Sequence, residues 1–248
     1  MTRKQPMAVI DFANPSRFLN LANRAIPWFG GAAVLAFAFG LNQTVVAPDD
    51  YQQGATVKIM FLHVPGAWLG MVGWAVMTIA ALGTLVWRHP LADVTAKAVA
   101  PIGAAFTLMC LATGSLWGRP MWGAYWVWDA RLTSVLVLFL LYLGVIAVWR
   151  TVEDPARAAR AAAILTIVGA LDLPIIKFSV DWWNTLHQPA SVFRAGGPTI
   201  HPTILTPLLV MTAAFTLLFV TLLLAAMRNE ILRRRVRTLR LMQASAAA

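Results

Sequence analysis

The sequence predicts an all-α integral membrane protein with six transmembrane helices and both chain termini in the cytoplasm. Hydrophobic residues make up 59% of the 248 residues and charged residues only 12%, whereas a soluble domain carries about 25% charged residues. Six stretches reach the length of about 20 apolar residues that the hydrocarbon core of a bilayer requires. We therefore expect the chain to lie within a membrane.

The six spans follow one another with no internal repeat at a fixed period. The second span is longer than a bilayer requires, so we expect one of its ends to project or the helix to tilt. One helical domain over residues 26–227 is the simplest architecture. The predicted spans are residues 26–47, 59–87, 94–116, 132–150, 159–178 and 203–227.

The distribution of basic residues predicts which way the chain faces. Of the 20 lysines and arginines, 15 fall on the side of the termini, which includes the N-terminal segment 1–25 and the tail 228–248. The positive-inside rule places that side in the cytoplasm. The basic tail is then expected to meet anionic lipid headgroups at the cytoplasmic face rather than nucleic acid. The outward loops are residues 48–58, 117–131 and 179–202.

Three of the four histidines fall on the outward side. His63, in "FLHVPGAW", lies 25 residues before Arg88, which at about 1.5 Å per residue brings it to the outer interface. His187 lies in an outward loop, and His201 opens the sixth span. His89 lies at the cytoplasmic end of the second span, where a basic interface residue is expected. A single interfacial histidine is ordinarily a satisfied side chain, but two histidines beside two tryptophan clusters favour a ligand.

Haem fits this outward face better than a bare metal ion. Zinc takes three or four protein ligands, often thiolates or carboxylates, and the single cysteine, Cys110, is expected to be a buried, inert thiol. Haem needs two axial side chains and an aromatic surface for its ring. His63 and His187 are the candidate axial ligands. The candidate cations for the haem propionates are Lys58, Arg119, Arg131 and Arg194.

The aromatic surface is predicted in "WGRPMWGAYWVWDARLT", residues 117–133. An interfacial belt of tryptophans explains residues at span ends, but it does not require the W-x-x-x-W-x-W-D spacing found here. Asp129 is expected to cap the fourth helix before it acts as a ligand. The candidate ring-binding residues are Trp122, Trp126 and Trp128, with Trp117 at the start of the stretch.

Several of these motifs resemble a known family. "WGRPMWGAYWVWDARLTS" is similar to the tryptophan-rich signature, or WWD domain, of the haem-handling proteins of cytochrome c maturation. The six-span plan and further motifs resemble the CcmC proteins of that group. Those motifs are "YQQG", "FLHVPGAW", "APIGAAFT", "TGSLWGRPMWG", "LPII" and "SVDWWNTLHQPAS".

The resemblance implies a function in which haem b is bound without a covalent bond at the periplasmic surface of the bacterial inner membrane. CcmC proteins present haem to the chaperone CcmE, and they work with CcmD and with the ATP-binding cassette pair CcmA and CcmB. ATP hydrolysis would then belong to a partner, and the chain would be no enzyme on its own. By motif match, His63 and His187 take the axial ligand positions. The signature positions fall on Trp122, Trp126, Trp128 and Asp129, with Arg131 just after them.

The chain departs from the family pattern at two positions. Lys58 stands where the family often has arginine, which keeps the charge but loses the bidentate fork. Asp172 lies inside the fifth span, and we expect it to make a polar contact with a loop or the backbone. Three alternatives stay open: a haem permease subunit, an electron-transfer cytochrome b, and an aromatic-lined site for a lipid or glycan.

Overall fold

A computed structural model describes residues 14–183, 185–189, 191–192 and 194–247 of the chain. These residues form seven α-helices and a short 3₁₀ helix, Ala55–Ile59. The α-helices are α1 (Pro15–Val46), α2 (Met60–Leu85), α3 (Ala92–Trp122), α4 (Ala130–Thr151), α5 (Pro155–Gly169), α6 (Asp172–Trp182) and α7 (Pro202–Ala247).

Six helical segments are long and apolar enough to cross a membrane, because α5 and α6 together make one and the 3₁₀ helix extends α2. The prediction of an all-helical chain with six such segments is confirmed. Arg235 donates a 2.7 Å hydrogen bond to Ser16, so the start of α1 lies beside the C-terminal half of α7. We call this end of the bundle the basic end, and the opposite end, which carries His63 and His187, the histidine end.

The tryptophan-rich stretch differs from the predicted loop 117–131. Helix α3 continues through Trp122, and the connection to α4 is only residues 123–129. The helix stops at Gly123, which takes the left-handed conformation with φ 78° that glycine adopts without steric cost. Trp117 and Trp122 are therefore helical residues held by backbone hydrogen bonds.

The helices at the basic end are longer than the predicted spans. Helix α7 has 46 residues, and at about 1.5 Å per residue it is more than twice the thickness of the hydrocarbon core. The predicted tail 228–248 is thus a continuation of the sixth span as far as Ala247, because it contains no proline or glycine to stop the helix. Helix α1 begins at Pro15, and the first thirteen residues, with Arg3 and Lys4, lie outside the described residues.

The fifth span is broken between Gly169 and Asp172. The ring of Trp74 packs against Gly169, and its indole donates a 3.1 Å hydrogen bond to the carbonyl of Thr166. The expected polar contact is not made by Oδ2 of Asp172, which is buried and has no hydrogen-bond partner in the described part of the chain. Asp172 instead lies in the first turn of α6, where the helix dipole favours negative charge.

The core is built around α2. Tyr142 of α4 is fully buried, and its hydroxyl donates a 2.7 Å hydrogen bond to the carbonyl of Gly70. Its ring packs edge-on against Trp74, with centroids 4.8 Å apart. Glycine at position 103 leaves the space for this ring, because a Cβ there would overlap Tyr142. The close contact of α2, α3 and α4 thus depends on residues without side chains.

We expect Gly103→Ala to lower the free energy of unfolding by about 1–3 kcal/mol, the usual cost of overpacking a core. Gly31→Ala is the matched control, because Gly31 also lies inside a helix but a Cβ there meets no atom within 4 Å. Alanine in an exposed helical position is favourable by up to about 1 kcal/mol relative to glycine. Thermal unfolding of the two variants in detergent measures the difference, and equal midpoints would contradict this packing.

Candidate functional site

His63 lies in the first turn of α2 and is anchored to α3. Its Nδ1 atom is 3.1 Å from the carbonyl oxygen of Cys110 and 3.1 Å from the hydroxyl oxygen of Thr113. The Thr113 hydroxyl donates its own hydrogen to the carbonyl of Met109 at 2.6 Å. Both oxygens near Nδ1 therefore accept, so Nδ1 carries the proton and Nε2 keeps its lone pair.

The ring of His63 is packed on two sides. A Cβ at Gly114 would lie 2.9 Å from its Cε1 atom, so only glycine leaves this space. The ring of Trp117 meets it edge-on, with centroids 5.6 Å apart. The indole of Trp117 donates a 3.1 Å hydrogen bond to the side chain of Gln53. Sequence reasoning missed Gln53 as part of the site, although it lies in the "YQQG" motif.

His187 lies in the loop between α6 and α7 and is anchored to the start of α4. Its Nδ1 atom is 3.0 Å from Oδ2 of Asp129. The other carboxylate oxygen accepts a 2.7 Å hydrogen bond from the backbone N–H of Leu132, so the expected capping role of Asp129 is confirmed. A carboxylate only accepts, so Nδ1 of His187 carries the proton and Nε2 keeps its lone pair. The contact with His187 is the part that the sequence did not reveal.

The predicted aromatic surface divides into two parts. Trp122 packs against His187, with ring centroids 4.9 Å apart. Trp126 and Trp128 contact each other at 5.5 Å with their rings 79° apart, so these two do not form one flat platform. Trp128 is 77% exposed. The indole Nε1 of Trp126 is buried and has no hydrogen-bond acceptor among the described residues.

Arg131 is hydrogen-bonded to helix α6. Arg131 donates to Ser179 Oγ at 3.1 Å and to the carbonyls of Ile176 and Lys177, each at 3.4 Å. These groups lie in the last turns of α6, where cationic side chains stabilise helix carbonyls. Arg131, predicted as a contact for the ligand, thus holds α6 against the start of α4.

Two of the other predicted cations bind backbone carbonyls. Lys58 donates to the carbonyl of Val45 at 3.1 Å. Arg119 donates to the carbonyl of Gly123 and lies over the ring of Tyr125, 5.5 Å from its centroid. Arg194 is exposed in the loop before α7. The two bound cations therefore stabilise the connections of the histidine end.

The two histidines share one electrostatic environment. The charge of Arg131 acts on both, and a protonated His187 acts on His63. Burial lowers the pKa of His187, because it disfavours the imidazolium, and the hydrogen bond and charge of Asp129 only partly oppose this shift. His187 is therefore neutral near pH 7, which is the form that ligates metals. Across the described ranges, no three His, Cys, Asp or Glu side chains are grouped to hold a metal ion.

The remaining two histidines have structural roles. Nδ1 of His201 is 2.8 Å from the hydroxyl of Thr203, and its carbonyl accepts the first backbone bonds of α7. His89 lies at the basic end, in the turn after α2, where its Nδ1 accepts from the backbone N–H of Leu91 at 3.2 Å. His63 and His187 thus differ from these two histidines, because their Nδ1 atoms contact residues distant in the sequence.

The family model of CcmC, heme exporter protein C, matches residues 8–242 of this chain. The chain belongs to the CcmC family. It is 72% identical to heme exporter protein C of Bradyrhizobium diazoefficiens over 242 residues, which cover 98% of this chain and 92% of the relative. It is 47% identical to heme exporter protein C of Escherichia coli K12 over 223 residues, 90% of each chain. The protein of the same name from Paracoccus denitrificans is 43% identical over 94% of this chain and 97% of its own length.

Family membership confirms the resemblance seen in the motifs. As a CcmC family member, the chain is an integral membrane component of haem transport in cytochrome c biogenesis and is not itself an enzyme. Components of this kind belong to an ABC-type exporter complex.

Proposed function

We propose that the protein holds haem b as its cargo between His63 and His187 at the periplasmic surface of the bacterial inner membrane. It presents the haem to the chaperone CcmE, with CcmD and the ATP-binding cassette pair CcmA and CcmB as partners in the complex. One observation carries the proposal: each histidine has its Nδ1 engaged by an oxygen. Both Nε2 lone pairs are therefore available, and two imidazoles can fill the two axial positions of haem iron.

The residues around the two imidazoles support this ligand role. A metal-ligating histidine usually donates its second ring N–H to a carboxylate or a backbone carbonyl, which sets the tautomer and raises the basicity of the ligating nitrogen. His187 has the carboxylate of Asp129, and His63 has the carbonyl of Cys110. Both rings also pack against a tryptophan of α3. The chain thus orients both ligands before haem binds.

The tryptophans of the 123–129 connection supply further contacts in this proposal. The buried Nε1–H of Trp126 lacks an acceptor in the described part of the chain, and a haem propionate would provide one. Exposed Trp128 offers a ring face to the porphyrin. Lys58 and Arg119 are already hydrogen-bonded to backbone carbonyls. In this proposal they attract the propionates through their charge at a distance rather than by direct contact.

The position of the histidines favours presentation of haem over two other activities. His63 is in the first turn of α2, and His187 is in a loop beyond α6. A cytochrome b that conducts electrons across the bilayer would carry its ligands within the spans, and a permease would need a polar path between them. Haem bound at one end of the bundle is instead accessible to another protein.

Transfer between purified proteins tests the proposal. The haem-loaded protein is mixed with the haem-free chaperone CcmE, the two are separated, and their visible spectra are recorded. We expect haem absorption to leave the membrane protein and to appear in the chaperone fraction. Haem that stays with the membrane protein, and cycles rapidly and reversibly with quinol instead, would support the cytochrome b alternative and contradict ours.

A further inference from the structure

A groove at the basic end lies between α3, α4 and α7, at the opposite end of the bundle from His63 and His187. It has a volume of about 440 Å³. Its polar lining includes Lys97, Arg150 and Arg233, one buried carboxylate, Glu230, and the indole of Trp149. Three cations and one carboxylate leave the lining with an excess of positive charge. The haem site does not use any of these residues.

The groove changes from apolar to cationic along all three helices in the same direction. On α3, Pro101 lies deeper in the bundle than Lys97; on α4 and α7, the apolar Ile146 and Ala226 precede Arg150 and Arg233. Helix α3 begins at the basic end, where Asp93 pairs with Arg234 at 2.7 Å, whereas α4 and α7 run towards it. The cationic part therefore lies nearer the basic end, and the apolar part lies deeper in the bundle.

The carboxylate in the groove is already neutralised within the wall. Glu230 is 5% exposed and accepts from Lys97 at 2.8 Å and from Arg234 at 3.0 Å. Arg233 makes one longer contact with it, at 3.2 Å, and its side chain is 73% exposed. Arg150 is exposed. The cations left to attract an anion are thus Arg150 and Arg233.

The wall also holds a hydrogen-bond donor without an acceptor. Trp149 lies beneath the ammonium of Lys97, which is 5.2 Å from its ring centroid, and its Nε1 is buried with no partner in the part of the chain that the structure describes. A polar group buried without a partner is costly in an apolar environment. An oxygen from a bound ligand would satisfy this N–H.

We propose that this groove binds one anionic phospholipid, with its phosphate between Arg150 and Arg233 and an acyl chain along Ile146 and Ala226. The reversal of polarity along the groove matches the reversal along a lipid. Free phosphate would use only the cationic end. The site places a specific lipid at the opposite end of the bundle from His63 and His187.

Native mass spectrometry of the detergent-purified protein tests this site with phosphatidylglycerol, phosphatidylcholine and inorganic phosphate as separate probes. Phosphatidylglycerol is expected to bind as one retained molecule, more tightly than either other probe. Arg150→Gln and Arg233→Gln are each expected to weaken its binding about fivefold, since a basic residue near an anionic surface contributes about 1 kcal/mol.

Arg237→Gln combined with Arg240→Gln is the matched control, because these exposed arginines lie on α7 outside the groove. The control should bind phosphatidylglycerol as the wild type does, and thermal unfolding checks that all variants fold. Equal losses in the groove variants and in the control would mean diffuse surface charge and overturn the site. Equal binding of phosphatidylcholine or of inorganic phosphate to the wild type, or unchanged binding of phosphatidylglycerol in Arg150→Gln and Arg233→Gln, would overturn it as well.

Discussion

The purified protein is expected to lose its bound haem when either His63 or His187 is replaced by alanine. Each substitution removes one of the two nitrogen ligands that the proposal assigns to the iron, and a single imidazole holds haem much less tightly. Each substitution also removes the hydrogen bond at Nδ1, so thermal unfolding of each variant checks that the helices still assemble. The visible spectrum of each purified variant, and its ability to load the chaperone CcmE, measure the loss.

His201→Ala is the matched control, because His201 also lies at the histidine end but bonds only within the first turn of α7. It should retain haem and load the chaperone normally. Added imidazole should partly restore haem binding to the alanine variants, since it replaces the missing ligand. Undiminished haem and normal loading in both His63→Ala and His187→Ala would contradict the assignment of these histidines as haem ligands.

Asp129→Asn is expected to weaken haem binding by about 10–100-fold, the usual effect of removing an outer carboxylate from a ligating histidine. Asparagine caps helices about as well as aspartate, so the backbone N–H of Leu132 keeps an acceptor. What is lost is the negative charge beside Nδ1 of His187, which orients the ring and raises the basicity of Nε2. Haem affinity is measured by titration and stability by thermal unfolding.

Asp154→Asn provides the control for this substitution. Asp154 caps α5 through a 2.7 Å hydrogen bond from the backbone N–H of Arg157, and no histidine contacts it in the described part of the chain. The two variants should have similar unfolding midpoints, and only Asp129→Asn should lose haem affinity. An equal effect on haem in both would mean that the helix cap, rather than the contact with His187, matters.

The limits of the helices could not be predicted from hydropathy alone. Hydropathy predicted six crossings, because each depends on the apolar content of its own segment. It did not predict that α3 continues to Trp122 or that α7 continues to Ala247. Hydropathy indicates which residues favour lipid, whereas the limits of a helix depend on capping residues. Gly123 ends α3 in this way, and Asp129 begins α4. The break of the fifth span at Gly169 involves the ring of Trp74, which comes from another helix.

The sequence by itself determined the membrane class, the six crossings and the family, and it singled out two histidines as candidate ligands, because composition, hydropathy and motif spacing are properties of the chain. Only the tertiary structure decided how those histidines are held and what Arg131 does. Nδ1 of His63 meets a carbonyl 47 residues away, and Nδ1 of His187 meets a carboxylate 58 residues away. Such contacts require helices to approach within hydrogen-bond distance, and that approach depends on the packing of the whole bundle.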